Sequence, residues 1–225
     1  MKTIGHKLEK FAVTGVPPQS DAFFTITEES FPGKWKVIVF YPKDFTFVCP
    51  TEIVAYDKLN GDFADRDAVL LTGSTDNEFC KLAWQRAHED LGKITHTQFA
   101  DTQRGELSLV EQLGVFFGPA GAALRATFIV DPENVIQHVT VNNLDVGRSP
   151  EETLRILDSL QTGELCACNH INLPLVIRLG NQANFRSIII VCRHRLCGYM
   201  HIVRQFVTHQ EYAMFLLGYV LRPSC

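Results

Sequence analysis

The chain has little of what marks a secreted, membrane-spanning or nucleic-acid-binding protein. Its opening segment, MKTIGHKLEKFAVTG, lacks the uninterrupted apolar core of a secretory signal, so a cytoplasmic protein with reduced thiols is expected. Seven cysteines in 225 residues are too sparse for a disulfide scaffold and favour a redox or metal use. A net charge of −4 offers no overall basic surface for nucleic acid. There is no Gly-rich dinucleotide fingerprint, so no nicotinamide cofactor of its own is expected. The apolar stretch Tyr212 to Leu221 is far shorter than the roughly 20 residues a bilayer requires, so no membrane span is expected either. Lys and Asp vanish from the last quarter of the chain. Residues 171 to 225 carry 6 Arg and one acid, Glu211, whereas residues 1 to 170 carry 15 Lys and Arg against 24 Asp and Glu.

What is present begins with a hydrophobic content of 46%, enough to bury a sizeable core, and the natural prior is one domain with an appendage. The most informative stretch is Phe40 to Glu52, FYPKDFTFVCPTE. Val37 to Tyr41 is an apolar, β-branched and aromatic run bounded by Pro42, which predicts a buried strand. In residues 50 to 64, Ile53, Tyr56, Leu59 and Phe63 recur at helical spacing, so the strand feeds a helix whose first turn begins near Cys49. Pro50 suits the first helical position, where its missing N–H would be unpaired anyway. The unpaired amides and the positive end of the helix dipole favour an anion at Cys49, and that anion is a thiolate. The plainer alternative is a buried structural cysteine after a core strand.

Further along, Ala68 to Ser74 predicts a second strand, and Asn77 to Leu91 a helix with Phe79, Leu82, Ala83 and Leu91 facing inward. Thr97 to Ala100 is a short strand and Glu106 to Leu113 a short helix. Arg125 to Val130 and Val135 to Val141 form a hairpin joined at Asp131 to Asn134, and Pro150 to Leu160 closes as an amphipathic helix. Alternating strands and helices that end in a hairpin plus helix predict an α/β fold with helices on both faces of the sheet.

Pro42, Thr46 and Cys49 stand in the order Pro, three residues, Thr, two residues, Cys, within FTFVCPTE. This resembles the active-site signature of the peroxiredoxins, the thiol-dependent peroxidases, and specifically the alkyl hydroperoxide reductase branch of two-cysteine type. The resemblance implies a thioredoxin-like fold with a central mixed sheet flanked by helices. It implies that Cys49 attacks a peroxide, that Thr46 offers its hydroxyl to sulfur and substrate, and that Pro42 shields the thiol from water. Arg125 matches the arginine that points into the site, where a planar donor fork suits thiolate and peroxide oxygens; the alternative is an arginine flanking a strand in solvent. Glu52 and Arg148, in VGRSPEETLR, match a pair that orients Arg125, against the alternative of an ordinary surface salt bridge. Trp84 matches a position near the site, although most tryptophans at helical spacing are simply core.

A sulfenic acid at Cys49 needs capture by a second thiol. Cys166, in GELCACN, stands where the two-cysteine members keep the resolving thiol, and Cys168 is a candidate assistant. The resemblance further implies an intersubunit disulfide, an antiparallel homodimer that often assembles into rings, and a role in antioxidant defence. A dithiol protein restores the thiols: a flavoprotein disulfide reductase, a small adaptor or thioredoxin. No metal, haem or flavin is required.

Residues 1–170 are therefore expected to form the thioredoxin-like domain with its resolving segment, and residues 171–225 an atypical tail, disordered or the product of a shifted reading frame. Within that tail Cys192, His194, Cys197 and His201 form a weak zinc pattern. Rival functions are fewer. A thioredoxin-like disulfide reductase wants a second cysteine three residues after the first, and position 52 is Glu. A cysteine hydrolase needs a histidine base with an orienting acid, and the eight histidines lie in no recognisable motif. A holdase-type chaperone ring is compatible with peroxidase activity and with exposed apolar surface in the tail.

Overall fold

Strand-forming residues run together in this chain where a sheet can bury both their faces, and the clearest case is WKVIVF, β3 in the order below. In a computed structural model that describes residues 2–162, together with the backbone of three further strands between residues 175 and 207, the elements follow as β1 (Val13–Val16), β2 (Phe24–Ile26), β3 (Trp35–Phe40), α1 (Cys49–Asp57), α2 (Asn60–Ala64), β4 (Ala68–Ser74) and α3 (Glu78–Ala87). Then come β5 (Thr97–Ala100), α4 (Leu109–Gln112), β6 (Phe116–Phe117), β7 (Ala122–Ala123), β8 (Arg125–Val130), β9 (Ile136–Asn142) and α5 (Pro150–Gln161). Seven strands form one mixed sheet in the order β2-β1-β5-β4-β3-β8-β9. β3 runs parallel to β4 and antiparallel to β8, which places it in the interior of the sheet and explains its nearly continuous apolar sequence. The expected central mixed sheet flanked by helices is the architecture found.

Alternation along β3 sends its side chains to two cores. Ile38 and Phe40 join Phe99, Phe128, Leu109, Val115 and Ile136 on one face, while Tyr41, just past the strand, joins Cys49, Ile53, Trp84, Leu91 and Ile94 on the other. β8 lies beside β3 with Phe40 opposite Ala126, so the residue before Ala126, Arg125, comes level with Tyr41 on the face that holds Cys49. Gly73 is required where β4 passes Phe99, because a Cβ there would collide with the Phe99 carbonyl and ring. The β8–β9 hairpin is closed by Asp131, whose Oδ1 accepts from the amides of Glu133 and Val135, and by Asn134 at φ +67, a conformation asparagine tolerates.

Several local expectations shift by a few residues. The single helix expected over 50–64 is two, broken at Lys58 and Leu59. The helix begun at Asn77 ends at Ala87, with Asn77 as its cap accepting from the Cys80 amide at 2.8 Å. Its inward face is Lys81, Leu82, Trp84 and Gln85, whereas Phe79 and Ala83, expected inside, are exposed. β1 and β2 carry no sequence signal that had separated them from loop. The chain divides into two compact units, Met1–Leu157 and Asp158–Cys225. In the second, β10 (Leu175–Arg178), β11 (Arg186–Arg193) and β12 (Met200–Val207) pair antiparallel in that order. The expected boundary between residues 170 and 171 falls outside the described residues.

Candidate active site

α1 begins at Cys49 itself. Its cap position is Val48, with no side-chain hydrogen bond, and proline occupies the first turn. The carbonyl of Val48 is bonded to the amides of Thr51 and Glu52, but the amides of Val48 and Cys49 find no partner among the described residues, so they remain available to an anion at the helix start. Cys49 is 1% exposed and packs with Tyr41, Ile53 and Trp84. Its sulfur is therefore largely withdrawn from water.

A guanidinium stands beside that sulfur. Arg125 Nη1 donates to Cys49 Sγ at 3.6 Å and to Glu52 Oε2 at 2.5 Å, while its Nε donates to the carbonyl of Leu144 at 2.5 Å. Glu52, one turn along α1 from the cysteine, is gripped from the other side by Arg148, whose amide and Nε donate to Oε1, each at 2.9 Å, and whose Nη2 donates to Oε2 at 3.1 Å. Arg148 Nη1 is held in turn by the Ala126 carbonyl at 2.8 Å and by Thr127 Oγ1 at 3.2 Å. All three side chains are nearly dry, at 5% exposure for Arg125 and Glu52 and 3% for Arg148. Burial alone would raise the Glu52 carboxyl, but the hydrogen bond and charge of Arg148 and the charge of Arg125 outweigh it and hold the group below the usual carboxylate range. The result is a carboxylate whose charged form is favoured and which is bonded to the same arginine that donates to the sulfur.

Of the remaining candidates, Trp84 packs with Cys49, while Thr46 and Pro42 lie in the preceding loop with no hydrogen bond to the sulfur among the described residues. Thr46 is half-buried in the loop and its hydroxyl donates to the carbonyl of Lys43 at 3.1 Å, which leaves its lone pairs free to accept. Pro42, half-buried, follows Tyr41 at the start of the same loop. Trp84 is 3% exposed, shares the apolar cluster of Cys49 and stacks on Phe45 with ring centres 5.7 Å apart. Thus Cys49, Arg125, Glu52 and Arg148 are brought together by direct bonds, and Trp84 by packing. Cys166 and Cys168 lie outside the described residues, as do the side chains of Cys192, His194, Cys197 and His201. Cys80 is a free thiol whose ionisation is pushed up to about 11 by burial and by the charges of Asp44 and Asp76, so it is a poor nucleophile at neutral pH. Sequence reasoning also missed Asp44 and Lys81, a buried pair behind the loop at 3.1 Å. The only signal for it was an acid inside the Pro-Thr-Cys stretch.

A mixed sheet flanked by helices, with a buried cysteine beside an arginine at the start of the helix that follows β3, defines a protein of thioredoxin-like fold. Residues 4–139 match the AhpC/TSA family. The alkyl hydroperoxide reductase C of Mycolicibacterium smegmatis is 47% identical over 177 residues, covering 74% of this chain and 89% of that relative. Among solved structures, an AhpC of Mycobacterium tuberculosis superposes with a TM-score of 0.65 at 43% identity over 72% of this chain and 99% of that one. A reduced 2-Cys peroxiredoxin of Plasmodium vivax gives a TM-score of 0.69 at 35% identity over 76% and 90%. The chain belongs to the AhpC/TSA family, and it is accordingly a peroxiredoxin, a thiol-dependent peroxidase.

Proposed function

We propose that Cys49 is the thiol that reduces hydrogen peroxide and organic hydroperoxides, and that the observation carrying this assignment is the Arg125 guanidinium 3.6 Å from a buried sulfur at a helix start. The thiolate attacks the terminal oxygen of the peroxide. An S–O bond forms as the O–O bond breaks, the departing oxide takes up a proton and leaves as water or alcohol, and sulfur is oxidised by two electrons to a sulfenic acid. Arg125 stabilises the thiolate before attack and the negative charge that develops on the peroxide oxygens during it. Thr46 offers its hydroxyl to the sulfur and as a hydrogen-bond partner to the peroxide, and Pro42 and Trp84 keep water from the site. Glu52 and Arg148 hold Arg125 in place.

The sulfenic acid then condenses with Cys166, assisted by Cys168, with loss of water and formation of a disulfide between chains of an antiparallel dimer, itself assembled into a ring. A dithiol protein reduces that disulfide by exchange, and the cycle serves antioxidant defence. We place the protein in the cytoplasm, whose reducing thiol pool suits the free Cys49 and Cys80; no helix among the described residues is long and apolar enough to cross a membrane. Residues 171–225 are treated as an appendage to this domain. A disulfide-reductase function has no support at position 52, because Glu52 is committed to two arginines.

Purified protein with a dithiol reductant should consume peroxide, and Cys49→Ser should abolish consumption. Consumption that survives the substitution refutes the assignment. A nonreducing gel after one equivalent of peroxide should show crosslinked chains, lost in Cys166→Ser if that thiol resolves.

A further inference from the structure

The loop of residues 42–48 has an anchor that the chemistry above does not use. Lys81, on α3, is 0% exposed, an unusual place for an ammonium. Its Nζ donates to Ser74 Oγ at 2.7 Å, to Asp44 Oδ1 and Oδ2 at 3.1 and 3.3 Å, and to Tyr41 Oη at 3.2 Å. The Asp44 carboxylate also accepts from the hydroxyls of Tyr41 at 2.8 Å and Ser74 at 3.2 Å, and the Asp44 amide donates to Asp76 Oδ2 at 2.7 Å. Gln98 Nε2 donates to Tyr41 Oη at 3.2 Å and completes the network. Burial first, and then the charge and hydrogen bond of Asp44, hold the Tyr41 phenol well above its ordinary ionisation range, so it stays a donor to Asp44.

Asp44 sits midway between Pro42 and Thr46. The next residue, Phe45, has φ +54, a left-handed conformation that is costly for a bulky side chain and persists only where the surroundings over-determine it. On one side Phe45 is held by its stack on Trp84, and on the other by the fixed Asp44. A buried ion pair is a weak source of stability, since apolar replacement of both partners is often neutral. Its many directed bonds make it better suited to fixing one geometry.

We propose that Lys81 and Asp44 are a positioning pair for peroxide reduction: the buried ammonium pins the middle of the loop to β4 and α3, and so imposes the turn at Phe45 that presents Pro42 and Thr46 to Cys49. The proposal rests on the assignment of Cys49 as the peroxide-reducing thiol.

The test uses the full-length chain and compares two rates at Cys49, read by mass spectrometry of its peptide: oxidation by hydrogen peroxide and alkylation by iodoacetamide. Alkylation needs the thiolate and access to the buried sulfur, but not the placement of Pro42 and Thr46 around a peroxide, so a change in access moves both rates and a change in placement moves their ratio. Ser74→Ala removes one ligand from each partner with little change in volume and should lower the ratio of oxidation to alkylation by about 3- to 10-fold, the worth of one hydrogen bond. Asp44→Asn combined with Lys81→Met leaves no unpaired buried charge, should keep a melting temperature near that of the wild type, and should lower the ratio at least about 10-fold through misplacement of the loop. A ratio within about 3-fold of the wild type in the double variant, even with both rates reduced in parallel, overturns the proposal and assigns the pair a structural role. If the double variant does not fold, Ser74→Ala decides by the same limit. A wild-type protein whose Cys49 is not oxidised by peroxide would refute the Cys49 assignment instead.

Discussion

Replacing Arg125 by lysine tests whether the site depends on charge alone or on the shape of the charged group. The guanidinium serves three acceptors at once: Cys49 Sγ at 3.6 Å, Glu52 Oε2 at 2.5 Å and the Leu144 carbonyl at 2.5 Å. Nε and Nη1 lie in one rigid plane, so the bond to Leu144 fixes the direction of the bond to sulfur. A lysine retains the positive charge on a flexible stem and would be drawn to the nearby Glu52 carboxylate, leaving the sulfur and the Leu144 carbonyl without their donor. Loss of one preorganised donor to a charge that develops in the transition state costs about 2.7–4 kcal/mol, a fall of roughly 100- to 1000-fold in rate. The measurement is the second-order rate of Cys49 oxidation by hydrogen peroxide in single turnover, with far-ultraviolet circular dichroism to confirm the fold. A lysine variant within about 3-fold of the wild type would show that proximity of a cation suffices, and would refute the case for a directed donor.

Glu52→Gln removes the one carboxylate shared by two nearly dry arginines, and loss of a partner from a buried ion pair typically costs about 3–5 kcal/mol. With roughly 2–4 °C of melting temperature per kcal/mol for a domain of this size, calorimetry should show a drop on the order of 10 °C. Gly73→Ala forces a Cβ into the Phe99 carbonyl and ring and should destabilise by about 1–3 kcal/mol or more in denaturant unfolding, as overpacking does. Asp101 gives a pH signature: burial, with one carboxyl oxygen lacking a partner, pushes its ionisation up from 3.8 to about 6. The folded state then holds this proton more tightly than the unfolded chain, so the stabilisation is fully present below pH 3.8 and is lost as pH rises through about 6. From pH 5 to 7.5 the wild type should lose about 1.4 kcal/mol, or roughly 3–6 °C, relative to Asp101→Asn. Parallel pH profiles for the two proteins would contradict this.

The centre of the fold was legible because its signals are local. The apolar run before Pro42, the proline after Cys49 and the hairpin turn at Asp131 each act within a few residues, and β4, β5 and β8 appear over the spans expected. The inner face of α3 was misread for a physical reason. Hydropathy assigns Lys81 and Gln85 to solvent and Phe79 to the core, but Lys81 is compensated by Asp44, 37 residues earlier, and Gln85 by Gln98 at 2.9 Å. Burial of polar groups depends on partners that a periodicity cannot see. Phe79 is 66% exposed and makes an edge contact with Phe23 at 5.4 Å. β1 and β2 escaped notice because they are only four and three residues long, too short for alternation to register. At the site, the motif supplied Cys49, Thr46 and Pro42 and the family likeness supplied Arg125, Glu52 and Arg148. Asp44 and Lys81 emerged only once three-dimensional contacts were known.

Glu52, wedged between Arg125 and Arg148, also sets the balance of charge around the Cys49 sulfur. With Cys49 ionised, two cations face two anions and the enclosure is electrically neutral. On the proposed chemistry, conversion of sulfur to an uncharged sulfenic acid leaves one guanidinium unmatched in a space that excludes water, where an unmatched ion is costly. On that chemistry the reduced protein is the form in which the charges around Glu52 balance.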